Sequence, residues 1–486
     1  MNKRLYNVLL IAGVFAAGHF MAYEICHIPT QLELAAILGI ALIYPILRFP
    51  LVGIYAIFII CPFIPFIRRL YYLVYGRPVI DPLIVIGDII ALLVFSGLFF
   101  ELRSKNLPKT YMQIISFYII YIIFRTFVFN ISPVTASILK LENYAPAVFL
   151  FFAGAIFSRR IDHLKRLWVI TIITGIFACF YGFKQLYTGY SDAERLWFSS
   201  IKFTTLFIKG IARPFSFFQA PAVFADYLIL AMIAVLMFLS WSKFKGKIFL
   251  YLLIPLLFYG ILITSVRSNW IGAIALLFFW LVAFQIKRAP HRTATVVIVV
   301  LILLVCQFVA DSLKNDTNIN GFKDIIGDKF GKQEYVNLMV TSRAKAIINP
   351  FEEHSLVSRV ALWKYMFTLS ANPEMALLGR GLGTLNADSL YVTYLSEFGY
   401  PGLIFICGIF LAFIFNGLKK MNKLSDPAAT ILVKGIICMD ISLALMNLTG
   451  THIHSFPGDV YFWFWNGVLV NLSVVDKSTI RENINP

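Results

Sequence analysis

The sequence predicts an all-α, polytopic membrane protein of about 14 (12–14) transmembrane helices, with one large structured extracytoplasmic loop between helices eleven and twelve. Three observations predict it. Hydrophobic residues make up 59% of the chain and charged residues only 14%, where a soluble domain carries roughly a quarter charged residues. Apolar runs of about 20 residues, the length a helix needs to cross a bilayer, recur from end to end. One long stretch, 312–397, breaks the pattern.

The first apolar run, near 6–23, follows Lys3 and Arg4 and lacks a small-residue cleavage site, which reads as a retained anchor. Further helices are expected near 31–48, 50–66, 80–100, 111–130, 144–158, 164–187, 217–241, 248–265, 268–287, 293–311, 398–418, 428–449 and 458–475. The tightest divisions fall at Arg48-Phe49-Pro50 and Ser265-Val266-Arg267, and losing one such pair of helices gives the lower count. The chain, 1–486, reads as a single membrane domain with two outer loops, 188–213 and 312–397.

Orientation follows from the positive-inside bias over short loops. With the N-terminus in the cytoplasm, basic residues such as Arg103, Arg159, Arg160, Lys243, Lys287, Lys419 and Lys420 fall on the cytoplasmic side, and both termini face it. The pair Arg68-Arg69, with Arg77, is the main exception in the short outer loops. The net charge of +17 is explained by these loops and anionic lipid, so no nucleic-acid partner is expected. The six cysteines lie within or beside apolar runs without CxxC or Cys/His spacing, so neither disulfide nor structural zinc is expected.

The large loop balances nine Lys/Arg against nine Asp/Glu between 311 and 388. Residues 353–371 place Leu356, Val360, Trp363 and Phe367 at helical spacing, with Arg359 and Lys364 off that stripe, and Asn372-Pro373 ends the helix. The smaller loop is rich in aromatics and bases: Tyr190, Arg195, Trp197, Lys202, Lys209 and Arg213. No internal repeat relates the halves of the chain, which argues against an inverted-repeat transporter.

The most informative stretch is 379–402, GRGLGTLNADSLYVTYLSEFGYPG. It sets the carboxylate of Asp388 at the mouth of a membrane helix, beside glycine-rich backbone able to admit a ligand. Three arginines fall near the same outer face: Arg213 in ARPFSFFQAP, Arg267 in TSVRSNWIG and Arg359 on the loop helix. A guanidinium meets phosphate oxygens bidentately and stays charged. Arg213 also suits a headgroup anchor and Arg359 a solvated helix face, whereas a lone cation in the three-residue turn at Arg267 normally needs a partner or a function.

Other intramembrane charges are Asp88, Arg125, Asp226, Lys434 and Asp440, of which Asp226, two turns below the outer end of its helix, is the foremost candidate for a function. His452 and His454 stand at i,i+2 spacing without a third ligand, so no metal is expected. Walker, Rossmann, HExxH and nucleophile-elbow patterns are absent, as is a membrane-edge DxD pair, and no cofactor is expected. What remains suits transfer from a lipid-anchored diphosphate: arginines stabilise the departing charge and a carboxylate deprotonates an acceptor hydroxyl. Asp388, Arg267 and Arg359 are the candidate catalytic residues; Arg213, Ser389, Arg380, Glu397 and Lys209 are candidate substrate-binding residues.

These segments resemble the O-antigen ligase and O-antigen polymerase superfamily of bacterial membrane glycosyltransferases. Its ligases carry His-(Asn/Ser/Gln), nine residues, then Gly-x-x-Gly; here Asp388-Ser389 stands nine residues before Gly399-Tyr400-Pro401-Gly402. TSVRSNWIG looks like the family's Ser-Arg segment, SRVALWKYMF with Pro373 and Gly379–Gly383 like its Arg-x-x-x-Trp helix and following turn, and ARPFSFFQAPAVFADYL like its Arg-Pro run. The four segments cover roughly 205–405 in the family's order. The resemblance implies a metal-independent enzyme of the bacterial cytoplasmic membrane, using an undecaprenyl-diphosphate-linked oligosaccharide with arginines on the diphosphate and, as a partner, a chain-length regulator. Aspartate in place of the family histidine points to members that polymerise polysaccharide repeats. The alternatives are a ligase handing glycan to lipid A or another acceptor and, in a different class, a lipid-linked oligosaccharide flippase.

Overall fold

The computed structural model describes residues 43–76, 81–104, 107–128, 134–200, 206–208, 211–241, 247–283, 354–383 and 388–472. The expected helices near 6–23 and 293–311, residues 31–42 of the helix expected near 31–48, the large loop before 354, and Lys202 and Lys209 lie outside these residues.

The described chain is helical apart from one small hairpin. In order come α1 (Pro50–Ile60), α2 (Ile64–Tyr75), α3 (Ile86–Ser104), α4 (Lys109–Phe127), α5 (Val134–Leu141), α6 (Phe149–Phe157), α7 (Ile161–Thr188) and α8 (Asp192–Ser200). The strands β1 (Phe207–Ile208) and β2 (Ile211–Ala212) pair antiparallel, Phe207 opposite Ala212. Then follow α9 (Pro221–Trp241), α10 (Lys247–Ile263), α11 (Arg267–Phe278), α12 (His354–Leu369), α13 (Pro373–Leu378), α14 (Leu390–Met421), α15 (Pro427–Met446) and α16 (Gly458–Asn471).

Among the described residues six segments are long and apolar enough to cross a membrane: Pro50–Tyr75, α4, α7, α9, α14 and α15, with shorter apolar helices at Leu83–Phe99, α10 and Arg267–Leu281. Side chains such as Phe117, Phe177, Ile404 and Phe415 stand exposed on these helices, an apolar outer surface suited to lipid and not to water. The protein is therefore an α-helical, multi-pass membrane protein. At its centre runs α9, buried over 89% of its apolar window and packed against α7, α10, α11, α15 and α16.

Local chemistry explains the element ends. Asp426 caps α15 by accepting from the amides of Ala428 (2.9 Å) and Ala429 (3.3 Å), with Pro427 in the first helical position. Lys420 donates to the carbonyls of Leu469, Val470 and Leu472 and so closes the far end of α16. Helices α6 and α16 touch backbone to backbone: a Cβ on Gly154 would land on the Phe464 carbonyl and one on Gly467 on that of Phe151.

Both tight divisions are real breaks, at Phe49 and at 264–266. Three expectations need correction. The helix expected at 50–66 continues, through a short 3-10 turn, to Tyr75. Arg68 and Arg69 are thus buried on α2 and not in a loop: Arg68 pairs with Asp81 at 2.5 Å, and Arg69 donates to the Ser216 carbonyl (3.0 Å) and lies over Phe215. Expected helix 144–158 is helical only from Phe149, because i→i+3 bonds, Val148 N to Ala145 O and Phe149 N to Pro146 O, organise the residues before it as turns. On α12 the face packed against Val392 comprises Leu362, Trp363, Met366 and Leu369, while Phe367 is half exposed, so the apolar stripe is rotated from the expected one.

Candidate functional site

The glycine-rich stretch is where the sequence was loudest, and the structure gives its glycines a definite role. Helix α14 begins at Leu390, eight residues earlier than expected, and kinks at Gly399 (φ 68°, ψ −164°). Gly379, closing α13, has nearly the same conformation (φ 66°, ψ −165°), a region essentially confined to glycine. The two backbones press together: a Cβ on Gly379 would lie 2.6 Å from Glu397 C, Phe398 N and Gly399 N. Backbone bonds from Arg380 N to Ser396 O (2.7 Å) and from Gly381 N to Glu397 O (3.1 Å) lock the turn on. Chain, not ligand, fills this approach.

Glu397 is the buried anchor of that lock. Its carboxylate accepts from Gly383 N (2.9 Å) and from the Tyr144 hydroxyl, and its carbonyl accepts from Arg125 Nη2 at 3.2 Å. Arg125 also donates to the carbonyls of Val128 (2.8 Å) and Leu378 (2.7 Å), so it serves main-chain acceptors, not an intramembrane aspartate. Arg380 is half-buried on the same turn.

At the mouth of α14 the structure joins two expected site residues. Arg359 Nε on α12 meets Asp388 Oδ2 at 3.0 Å; the Asp388 side chain is 58% exposed and that of Arg359 25%. The pair is open to exchange with an incoming ligand. Ser389 is buried at the N-cap of α14, its hydroxyl donating to Asn447 O at 3.4 Å, while Leu390 N donates to the carbonyls of Asn447 (3.0 Å) and Gly450 (2.8 Å).

The other two arginines come together at a second turn. Arg213 is buried and donates to the carbonyls of Thr264 and Ser265, both at 3.4 Å, immediately before Arg267 at the start of α11. Ser216 and Ser265 are the non-glycine residues with positive φ among those described, both at 55°. One lies in each arginine turn. Left-handed backbone at a serine costs about 1–2 kcal/mol, and such strain is concentrated at functional positions. The Ser216 turn is held by Gln185, whose Oε1 accepts from the amides of Phe215 (3.0 Å) and Ser216 (2.7 Å) and whose Nε2 donates to Glu194 at 2.5 Å. Burial alone would raise the Glu194 carboxyl, but bonds from Gln185 and Ser191 with the Arg69 and Lys184 charges outweigh it and set its pKa below the usual range.

A buried polar chain connects the two regions. Asp226 Oδ1 accepts from Asn269 Nδ2 (2.5 Å), and both its oxygens meet His452 Nδ1, at 2.8 and 3.0 Å. His452 N donates to Asn447 Oδ1 (2.8 Å), and Asn447 O receives the Ser389 hydroxyl. The segments around Arg213, Arg267 and Asp388 are thereby wired into one network. His452, with its Nε2 buried and unpartnered, is the residue the sequence reading missed, having weighed it only as a metal ligand. Among the described residues no cluster of three metal-ligating side chains occurs.

On the opposite side of the 452–456 turn, His454 packs against the rings of Tyr144 (4.2 Å) and Tyr394 (5.6 Å). Burial, with the Lys140 charge adding, pushes its pKa down to about 3, so it stays neutral. Beyond it opens a cavity of about 500 Å³, which none of the expected site residues lines.

A scan against family models finds no match, and no curated protein matches the chain. The likeness to O-antigen ligases and polymerases rests on the four sequence segments alone.

Proposed function

We propose that the protein is a polysaccharide polymerase, moving a growing glycan from undecaprenyl diphosphate onto a hydroxyl of the next lipid-linked repeat. The reaction faces the outer side of the bacterial cytoplasmic membrane, with both termini in the cytoplasm and the full span count as read from the sequence. The observation that carries this reading is the convergence of the Arg213–Arg267 turn and the Asp388 mouth through Asp226 and His452.

In this reading Arg213 and Arg267 grip the diphosphate. Arg359 exchanges Asp388 for a phosphate oxygen, which frees the carboxylate as a base. The acceptor hydroxyl gives its proton to Asp388 as its oxygen bonds the anomeric carbon. The bond from that carbon to the phosphate oxygen breaks, and the arginines stabilise the departing negative charge. No step draws on a metal.

Cells lacking the protein should accumulate single lipid-linked repeats; long chains stranded on the carrier would instead indicate a ligase. Purified protein should extend lipid-linked repeats in detergent, which a flippase cannot do. Arg267→Lys should lose most activity while expressing normally, because lysine lacks the planar fork. Asp388→Asn should cost about 10²–10⁴-fold in rate. Near-normal polymerisation by Asp388→Asn, with Glu397→Gln inactive, would move the base to Glu397.

A further inference from the structure

We infer that the cavity walled by Asp88, Glu142 and Asp459 is a separate binding site for a neutral or amine-bearing sugar unit. The ligand class rests on the glycan-transfer reading; the site itself rests on the cavity's own geometry. Its volume, about 500 Å³, is that of a small-molecule pocket.

The acids of this cavity are not equivalent. Asp81 is satisfied by Arg68 at 2.5 Å, by the Tyr72 hydroxyl at 2.6 Å and by Leu83 N at 3.1 Å. Asp88 and Glu142 have no side-chain hydrogen bond or ion pair among the described residues, and Asp459 accepts from the neighbouring amide of Val460 at 2.6 Å. Partly buried carboxylates such as Asp88 and Asp459 normally find donors, so this wall calls for a ligand that brings them. His454 also lines the cavity.

The pattern selects the ligand. With Asp81 taken by Arg68, the carboxyl groups of Asp88, Glu142 and Asp459 leave acceptors in excess on this wall, which favours hydroxyl or ammonium donors over phosphate and uronate, so the lipid diphosphate does not belong here. Among the described residues no three acid, His or Cys side chains stand close enough to share a metal ion, so the acids are spread around the wall. Spread acceptors match hydroxyl or ammonium donors distributed around a pyranose ring. The Gln219 amide adds mixed hydrogen-bonding capacity, and Trp197 and Phe218 give apolar surface for the ring's C–H faces. The Arg213–Arg267 turn takes the anion and this cavity the uncharged part of a glycan.

The test is saturation-transfer NMR on the full chain in nanodiscs, with methyl N-acetylglucosaminide, methyl glucosaminide, methyl glucuronide and inorganic pyrophosphate as probes. The first two should bind and the glucuronide should bind at least about tenfold more weakly. The double variant Asp88→Asn with Glu142→Gln should lose sugar binding by about tenfold or more, the effect of removing charge-assisted hydrogen bonds. An unchanged pyrophosphate signal and thermal midpoint establish that this variant is folded. Absence of a sugar signal from the folded wild type, or a signal indifferent to the double substitution, overturns the assignment. Polymerisation without sugar binding overturns the cavity alone; sugar binding without polymerisation leaves the cavity standing and overturns the transfer reading.

Discussion

Replacing Gly399 by alanine tests the interlocked glycines directly. At φ 68° and ψ −164° an L-residue is strained by about 1–3 kcal/mol. The new methyl would also meet the carbonyl carbons of Ala376 and Leu377 at 3.0 Å, with the Ala376 oxygen nearer still. Those neighbours are backbone, so the α13 turn itself must move, an overpacking cost of about 1–3 kcal/mol. Alanine's smaller unfolded-state entropy offsets about 0.4–1 kcal/mol. The net loss is on the order of 2–5 kcal/mol. Gly408, on the same helix, is the control: nothing lies within 4 Å of the point a methyl would occupy, so alanine there should be neutral or stabilise by about 0.5–1 kcal/mol. The assay is the heat-aggregation midpoint of detergent-solubilised protein. Equal midpoints for Gly399→Ala and Gly408→Ala would refute the reasoning. Gly379→Ala should mimic Gly399→Ala, and the double variant should cost less than the sum, since both break one contact.

Asp226→Ala should destabilise the protein by about 1–3 kcal/mol, because it strips buried Asn269 and His452 of their shared acceptor; Asp226→Asn should fall between alanine and wild type in the same melt. Glu194 gives a pH signature. Its folded pKa is depressed, so its contribution is complete above the ordinary value of 4.5 and is lost as pH falls through the folded value. Melting midpoints followed from neutral pH to below 4.5 should drop in the wild type, and Glu194→Gln should remove part of that drop.

Helices with long apolar runs were legible because a bilayer demands them, and α7, α9, α10 and α15 lie close to where hydropathy put them. Errors fell where polar groups are buried by tertiary partners. Arg68 and Arg69 looked like the end of a helix, yet Asp81, Ser216 and Phe215 allow α2 to continue past them. The start of α14 was hidden for a similar reason: Ser396 and Glu397 read as loop until the glycine turn and Tyr144 supply their partners. On α12, two apolar stripes were available, and packing against Val392 chose the one through Met366. The Arg359–Asp388 pairing was within reach of sequence reasoning, since both residues stood out in one loop. The Asp226–His452 contact was not: 226 positions separate its partners, and a histidine in a turn carries no sign of what it faces. The acids around the cavity come from α3, the α5–α6 connection and α16, and only the fold assembles them.

The polar chain from Ser389 to Asn269 also fixes the direction in which several helices point. Asp226 lies in the second turn of α9, Asn269 in the first turn of α11, and Ser389 caps α14; the first residue of α16, Gly458, abuts the His452 carbonyl. Four helices therefore turn their amino ends toward one region. Each aligned set of peptide dipoles places the equivalent of about half a positive charge at its amino end. The field there is positive before any arginine is counted, it is fixed by the backbone, and no side-chain substitution removes it. An anion arriving at this end meets a potential built from main chain, on which the guanidinium groups confer geometry as much as attraction.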